Sequence, residues 1–356
     1  MKHTKKICAL SVTAALSLAL AAPAAAADYT VQRGDSLWKI AREQLGDGTR
    51  WGELYAANRD TVRDPSLIYA GQVLKIPGSV EETAPSAPAE ETMPAVESMT
   101  RTEKALALIR TFATGDTETA RELLDENYIQ HNLAYGTGED AFISSVEGLA
   151  AAETATTVEN IRAFEDGDYV FLQNVYNFAG AGEQVAFDIF RFDSDGEVAE
   201  HWDNLAALAT EPNPSGHTQT DGTTEITDLD KTEENRELVE NFLYDVMQGN
   251  NPDKTAGYFD GDTYIQHNTA IADGVSGLNA ALTALAEQGI EMIYDETHMV
   301  LAQGNFVLAV SEGTYGGAHT SYYDLWRVKN GKIAEHWDVM ETIADESTWQ
   351  NDNGKF

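Results

Sequence analysis

The 356-residue chain has a single cysteine, Cys8, and only 23 Lys and Arg residues against 59 Asp and Glu, a formal net charge of −36. One cysteine excludes an internal disulfide and a site built from several thiolates. The scarcity of positive charge argues against nucleic acid and anionic lipid as partners of residues 78–356, where the acidic excess lies. The 42% of hydrophobic residues is nevertheless enough for packed cores, so the chain does not have the composition of a disordered acidic protein.

The N-terminus has the pattern of a secretory signal peptide. Lys2, Lys5 and Lys6 precede an apolar stretch over residues 7–20, and an Ala-rich run with small-residue cleavage sites ends at Ala27. We predict removal of residues 1–27, which takes away Cys8, and secretion to the cell wall or periplasm. No membrane span is expected in the mature protein.

Signal removal also takes away three lysines, which changes the net charge to −39. Residues 28–77 contain seven acidic and seven basic residues, so the whole excess lies in residues 78–356. We interpret it as a solubility feature.

Two polar segments divide the mature chain. Residues 78–98 are rich in Pro, Ala, Ser and Glu, and residues 211–229 have a similar Pro, Gly and Thr character, which predicts linkers. Compact domains are therefore expected over residues 28–77, 99–210 and 230–356.

Residues 28–77 predict a small βααβ module, with two helices between short strands near Tyr29 and Val73. The stretches YTVQRGDSLWKIA, WGELYAANRD and LIYAGQVLKIP follow one another over its whole length. In their order and spacing they resemble a LysM domain. The resemblance implies binding of an N-acetylglucosamine glycan, peptidoglycan or chitin, in a shallow groove between two loops. The implied glycan-binding residues are Gly34, Asp35, Ser36, Leu37, Leu67, Ile68, Tyr69, Ala70 and Gly71.

The remaining chain contains one domain twice. Both copies begin with a capped helix: Thr100 with Glu103 forms a capping box before a stop at Gly115, and Asp230 with Glu233 precedes a stop at Gly249. Both then read Tyr-Ile-Gln-His-Asn, at residues 128–132 and 264–268, followed by an Ala-rich helix and several strands.

Each copy ends in a hairpin. The turns Asp195-Gly196 and Asn330-Gly331 favour type I′ geometry, with positive φ at both central residues. The strands after them share the letters Ala-Glu-His-Trp-Asp, at residues 199–203 and 334–338. Helices first and an antiparallel sheet afterwards predict an α+β fold.

These motifs, YIQHN and GEVAEHWDN or GKIAEHWDV, resemble the SnoaL-like branch of the nuclear-transport-factor-like superfamily over nearly the whole of each copy. The resemblance implies two α+β cone-shaped barrels, each a bent antiparallel sheet packed on helices around a pocket.

Alternation along the last strand places His201 and Asp203 on one face and Trp202 on the other, and His336, Asp338 and Trp337 repeat this arrangement. A histidine beside a carboxylate in a lined cavity can perform acid–base chemistry without a cofactor. Asp188 and Asp324, in the preceding strand, are expected to form structural ion pairs with Arg191 and Arg327.

The resemblance further implies a cyclase or isomerase that acts on a small hydrophobic carbonyl compound without metal or other cofactor. Asp203 and Asp338 would transfer the proton, and His201 and His336 would orient or protonate the developing alkoxide. One departure is that Leu133 and Thr269 follow the His-Asn pair, where family members of the aldol-condensing kind usually have proline. The pairs implied to bind the substrate oxygens are His131 with Asn132 and His267 with Asn268.

Two alternatives use the same residues. A facial triad for a non-haem iron would combine two histidines and one carboxylate in each copy, although their spacing matches no metal motif. Non-catalytic binding or interaction domains displayed on the wall are the other alternative. The resemblance also implies an internal pseudo-dimer of the two copies, because many members of the superfamily dimerise through the sheet. The alternative metal sets are His131, His201 and Asp203, and His267, His336 and Asp338.

Overall fold

The computed structural model describes residues 27–31, 37–45, 50–59, 61–62, 68, 72–77 and 96–356. The chain separates into two compact units, residues 1–89 and residues 90–356. Among the helices of the described ranges, none combines the length and apolar character that crossing a membrane requires.

The first unit has the expected βααβ order. Strands β1 and β2 pair antiparallel, with Ala27 opposite Ile76. Ile40, Leu54 and Leu74 are fully buried between the strands and helices. The bounds are β1 Ala27–Thr30, α1 Leu37–Leu45, α2 Trp51–Ala56 and β2 Val73–Ile76.

The first of the two copies, domain 1, begins with the predicted capping box: the Thr100 side chain accepts from the Glu103 amide, and the Glu103 carboxylate accepts from the Thr100 amide. The helix ends at Gly115, which adopts φ 74°. The bounds are α3 Arg101–Thr114, α4 Thr117–Leu123, β3 Leu124–Gln130, α5 Glu139–Ala150, β4 Thr157–Asp166, β5 Tyr169–Asn177, β6 Gln184–Phe192 and β7 Val198–Ala207.

The second copy, domain 2, repeats this order, but its first helix begins at Thr232 and Lys231 provides no capping side chain, so the predicted cap at Asp230 is wrong. A short 3₁₀ turn over Leu229–Lys231 occupies that position instead. The bounds are α6 Thr232–Phe242, α7 Thr255–Tyr258, β8 Ile265–Gln266, α8 Gly274–Glu287, β9 Met292–Gln303, β10 Phe306–Tyr315, β11 Ala318–Lys329 and β12 Lys332–Thr342.

The two hairpin turns differ. Asn330 and Gly331 have φ 54° and 69°, as a type I′ turn requires. In the Asp195-Gly196 turn of domain 1, Gly196 has positive φ (80°) but Asp195 does not, so the type I′ prediction is wrong for this turn. The reason is a longer loop, in which the Asp193 carboxylate accepts from the amides of Asp195 and Glu197.

Each domain is α+β, with one open five-stranded sheet and not a closed barrel. The strand orders are β3-β7-β6-β5-β4 and β8-β12-β11-β10-β9. The first strand of each order pairs parallel with its neighbour and the other pairs are antiparallel.

One face of each sheet packs on its own helices and the other packs on the neighbouring domain. Alternation along β6 sends Phe187 and Ile189 into the contact between the domains and Asp188 and Phe190 toward the helices. Asn204, fully buried at this contact, donates to carbonyl oxygens of domain 2. The shared core contains Phe164, Phe171, Val185, Phe187, Ile189, Trp202, Leu301, Phe306, Leu308, Val310, Tyr323, Leu325, Trp337 and Val339.

The segments that follow the two sheets are exchanged between the domains. The connecting segment (residues 211–229) lies on domain 2, where Asn213 Nδ2 donates to the carbonyl oxygens of Gln266 and Ile271. The C-terminal segment (residues 343–356) returns to domain 1, where Asn351 Nδ2 donates to the carbonyls of Asn132 and Tyr135. The polar composition of residues 211–229 therefore accompanies a docked conformation and not a free tether.

Candidate active site

Three titratable side chains meet on the helix-facing side of the domain 1 sheet. Asp188 of β6 lies directly opposite Asp203 of β7, and Phe190 lies opposite His201. Because the two strands are in register, one nitrogen or carboxylate oxygen from each of Asp188, His201 and Asp203 can be chosen so that all three atoms lie within 4.8 Å of one another. Their exposed fractions are 3%, 7% and 6%.

Asp188 and His201 contact each other, and each also has further hydrogen-bond partners within the protein. His201 Nε2 lies 3.2 Å from Asp188 Oδ1, and Asp188 Oδ2 accepts from Asn174 Nδ2 at 2.7 Å and from the Tyr176 hydroxyl at 3.1 Å. Burial raises the pKa of Asp188, although the hydrogen bond with His201 opposes this. His201 Nδ1 faces Gln130 Oε1, which fixes Nδ1 as the donor and turns Nε2 toward the carboxyl group. Both ring nitrogens of His201 are thus engaged within the protein.

Asp203 is less completely satisfied. Its Oδ2 accepts from Asn132 Nδ2 at 2.9 Å, whereas its buried Oδ1 has no hydrogen-bond partner among the described residues. Lys355 of the C-terminal segment donates to the Asp203 carbonyl at 2.7 Å, and its Nζ lies 4.0 Å from Oδ1. A buried carboxylate oxygen without a donor is costly unless water or a ligand reaches it.

A cavity of about 60 Å³ opens at this carboxylate. Its wall is mostly apolar, and Asp188, His201 and Asp203 lie together at one part of it. The Tyr128 hydroxyl accepts from Gln130 Nε2 at 3.1 Å, which leaves its own proton available, and burial raises the pKa of Tyr128 well above 10. The other lining residues are Ile109, Phe112, Gln130, Tyr135, Gly136, Phe142, Ser145, Leu149, Tyr176, Phe178, Phe190 and Leu205.

Domain 2 repeats the polar network. His336 Nε2 lies 2.8 Å from Asp324 Oδ1, and Asn268 Nδ2 donates to Asp338 Oδ2 at 2.6 Å. The helix that packs over the network differs between the domains. Phe142, Ile143 and Val146 are buried in α5 of domain 1, but in α8 of domain 2 only Gly274 is buried. Leu282 of α8 is 42% exposed. The domain 2 network is therefore less enclosed than that of domain 1.

His131 and His267 do not lie with the other predicted site residues. By strand alternation, their side chains lie on the sheet face that is turned away from the helices. On that face the ring of His131 stacks on Trp202, with centroids 4.7 Å apart, and the ring of His267 stacks on Trp337 at 4.6 Å. Their Nε2 atoms lie 2.9 and 3.0 Å from Glu200 and Glu335. Asn132 and Asn268, one residue later, do reach the aspartates. The expected sets of two histidines and an aspartate, including the iron triads, are therefore not assembled.

The expected Asp–Arg ion pairs are also wrong. Arg191 Nε donates to Glu200 Oε2 at 2.7 Å and Arg327 Nε to Glu335 Oε2 at 2.6 Å. Odd and even positions of a strand face opposite sides, so an arginine three residues after an aspartate cannot share its face.

Asp188 was expected only as a structural ion-pair partner, and Tyr128 and Lys355 were not among the predicted site residues. The first two were accessible, because Asp188 alternates with Ala186 and Phe190 and Tyr128 lies two residues before Gln130 on the same strand face. Lys355 arrives from the opposite end of the chain, and no local signal marks it.

Most of the predicted glycan-binding residues, Gly34, Asp35, Ser36, Leu67, Tyr69, Ala70 and Gly71, lie outside the described residues. Leu37 is 3% exposed and belongs to the core of the first unit, and Ile68 packs partly buried against it. Both therefore belong to the packing of the first unit, and their contact with glycan stays a prediction.

Comparison with known families agrees with the element order. The LysM domain model matches residues 29–77, and the SnoaL-like domain model matches residues 105–201 and 239–336, together more than half of the chain.

Curated relatives match only in short stretches. Potassium binding protein Kbp of Escherichia coli O6:H1 is 40% identical over 58 residues, 16% of this chain and 39% of that protein. Resuscitation-promoting factor Rpf of Micrococcus luteus is 47% identical over 47 residues, 13% of this chain and 21% of that protein. The chain thus spans less than half the length of these relatives.

Solved structures that match part of this chain include an NTF2-like protein of unknown function from Cytophaga hutchinsonii, 18% identical, covering 30% of this chain and 91% of that one with a TM-score of 0.27. TsrD of Streptomyces laurentii is 17% identical, covering 29% and 86% with a TM-score of 0.26.

Proposed function

The chain belongs to the SnoaL-like domain family and carries a LysM domain before its two SnoaL-like copies, and from this premise we propose an exported protein of the bacterial cell wall. LysM would bind the N-acetylglucosamine glycan of peptidoglycan. Domain 1 would perform cofactor-free acid–base catalysis on a small hydrophobic carbonyl compound.

The charge distribution supports the anchoring role. The balanced residues 28–77 contrast with the strongly acidic remainder, so the LysM unit can approach an anionic wall polymer with less repulsion than the rest of the chain. Sedimentation with purified peptidoglycan, using the mature protein with and without residues 28–77, tests the anchor. Equal retention of both proteins would remove LysM from the proposal, and binding to chitin instead would change the glycan.

The catalytic proposal depends mainly on Asp203 Oδ1, which accepts no hydrogen bond from the described residues and is buried beside an apolar cavity. In the proposed step, this carboxylate takes a proton from the carbon next to a substrate carbonyl. The electron pair moves to the carbonyl oxygen, and the Tyr128 hydroxyl stabilises the developing enolate by donating a hydrogen bond. A carboxylate base and a neutral hydroxyl donor in a dry site are sufficient for this reaction without a metal.

The Asp188–His201 pair would position the site and not contact the substrate. Both ring nitrogens of His201 are already bonded, and Asp188 accepts two further hydrogen bonds. Because Asp188 lies directly opposite Asp203 on the neighbouring strand, its contact with His201 also holds the part of the cavity wall beside the proposed base.

The test uses acetone, a ketone small enough for the cavity, and follows deuterium uptake at its α-carbons in D₂O by NMR. Asp203→Asn should lower the enzymatic exchange rate at least about 100-fold. Tyr128→Phe should lower it about tenfold or more. Glu122→Gln, an exposed change on α4, serves as the control with an unchanged rate.

Exchange by the Asp203→Asn variant at the rate of the unmodified protein would contradict the assignment of the base. If the unmodified protein accelerates nothing but acetone shifts the NMR signals of cavity residues, the alternative of a non-catalytic binding domain is favoured. The same measurement on Asp338→Asn gives the share of domain 2.

We also propose that the two domains act as an internal pseudo-dimer. The shared core and the exchanged segments support this arrangement, because each domain alone would expose the face that carries Trp202 or Trp337. Residues 226–356 produced alone should self-associate or lose stability. A monomeric, soluble and equally stable fragment would contradict the proposal.

A further inference from the structure

Two histidines and an aspartate meet where the connecting segment crosses domain 2. His217 and Asp221 belong to the segment, and His267 follows β8. Asp221 Oδ1 lies 2.7 Å from His267 Nδ1, and Asp221 Oδ2 lies 3.7 Å from His217 Nδ1. One ligand atom from each of the three residues can be chosen so that all lie within 4.8 Å of one another.

In both imidazole rings the Nε2 atom contacts a carboxylate on the side of the ring away from Asp221. His217 Nε2 lies 3.2 Å from Asp273 Oδ2, and His267 Nε2 lies 3.0 Å from Glu335 Oε1. These contacts leave the Nδ1 atom of each ring facing Asp221. A histidine with one nitrogen on a carboxylate and the other directed at a shared point is the arrangement that metal-binding histidines adopt in proteins.

The distances suit a small divalent ion. In a tetrahedral zinc site with bonds near 2.1 Å, the ligand atoms lie about 3.4 Å apart. The observed 2.7 and 3.7 Å bracket that value. The Thr218 carbonyl, 2.8 Å from His267 Nδ1, and solvent beside the partly exposed His217 and Asp221 offer a fourth ligand.

We propose that His217, Asp221 and His267 form a Zn²⁺ site that fastens the connecting segment to domain 2. On binding, the Nδ1 proton of His267 passes to solvent and the ion takes its place. The close approach depends on Gly222, which has φ +94° and where a Cβ would lie 2.3 Å from Glu335 Oε1. This site is independent of the cavity of domain 1 and of its proposed chemistry.

Domain 1 provides a built-in comparison. His131 has the same stacking on a tryptophan and the same Nε2 contact with a glutamate, Glu200. Its Nδ1, however, meets the carbonyl oxygen of Gly354, and within the described part of the chain His131 belongs to no cluster of three potential metal-binding side chains. The proposal therefore predicts one site per chain, in domain 2 only.

The experiment measures Zn²⁺ binding to the mature full-length protein after removal of metal with a chelator. Equilibrium dialysis with elemental analysis should give one tightly bound ion per chain, and Co²⁺ in its place should show the intense visible absorption of tetrahedral coordination. His217→Ala and Asp221→Asn should each weaken binding at least about tenfold. Since both side chains are partly exposed, these variants should fold.

Two control variants make the result decisive. His131→Ala should keep the stoichiometry and affinity of the unmodified protein, and Glu197→Gln tests adventitious binding at the acidic cluster of Asp125, Asp193 and Glu197. Absence of tight binding to the unmodified protein would overturn the proposal. Equal affinity in His217→Ala and Asp221→Asn would also overturn it, because the bound ions would then lie elsewhere.

Discussion

Glu335 is a buried carboxylate of domain 2 that contacts two basic side chains, His267 and Arg327. Its side chain is 2% exposed, with Oε1 3.0 Å from His267 Nε2 and Oε2 accepting from Arg327 Nε at 2.6 Å. Burial alone would raise the pKa of Glu335, but the hydrogen bond with His267 and the charge of Arg327 outweigh it and lower the pKa to about 2.

The sign of the pH dependence follows from this direction. A pKa below the ordinary 4.5 means that the ionised form stabilises the fold; the contribution is complete above pH 4.5 and is lost as the pH falls toward 2. The difference corresponds to about 3 kcal/mol. Burial lowers the pKa of His267, but hydrogen bonds with Asp221 and Glu335 outweigh it and raise the pKa above 6.5. The contribution of His267 is therefore present below pH 6.5 and lost at higher pH, which makes pH 6 the reference.

Glu335→Gln keeps the shape and removes the charge. In urea unfolding with a chelator present, followed by tryptophan fluorescence, we expect the variant to lose about 2 to 3 kcal/mol at pH 6. The difference should shrink steadily between pH 4.5 and 2.

Glu200→Gln in domain 1 is the matched control. Glu200 accepts from His131 and Arg191 in the same way, but its side chain is 16% exposed, so we expect a loss of about 1 kcal/mol. An equal loss in both variants, or a Glu335→Gln effect that does not change with pH, would refute the electrostatic explanation.

Three further perturbations test the packing. Gly222→Ala should lower the free energy of unfolding by about 2 kcal/mol in urea titrations, because the residue has positive φ and its Cβ would collide with Glu335; an unchanged midpoint would contradict the docked conformation. Phe187→Ala, fully buried between the domains, should cost about 3 to 5 kcal/mol, measured by calorimetry, and a loss below 1 kcal/mol would exclude a tight contact. Deletion of residues 350–356 should speed amide hydrogen exchange in residues 131–137, and unchanged protection would mean that the segment does not cover this loop.

Much of the fold could be predicted because its signals are local. The capping box at Thr100, the stop at Gly115 and the Asn330-Gly331 turn each require only neighbouring residues, and all three appear as expected. Failures occurred where a local pattern had competitors: Asp195-Gly196 lies in a loop that the Asp193 carboxylate closes, and the Asp230 cap was displaced by a 3₁₀ turn.

The candidate site was only half accessible from the sequence. The alternation of side chains along a strand correctly predicted that His201 and Asp203 lie on one face of the sheet and Trp202 on the other, because strand geometry fixes this arrangement. The same alternation, continued one residue past Gln130 at the end of β3, places His131 on the opposite face from His201 and Asp203. The partner of His201 could be identified only from the strand register, which brings Asp188 opposite Asp203.

The sequence by itself determined the duplication, the α+β order and the strand face that carries the histidine and aspartate, because repetition and periodicity are properties of the chain. Only the tertiary structure decided that the two sheets share one core and that the segments after them are exchanged. It also decided that Lys355 reaches Asp203 and that His217 and Asp221 reach His267. These contacts join residues far apart in sequence, and their geometry depends on how two whole domains pack, which no local pattern records.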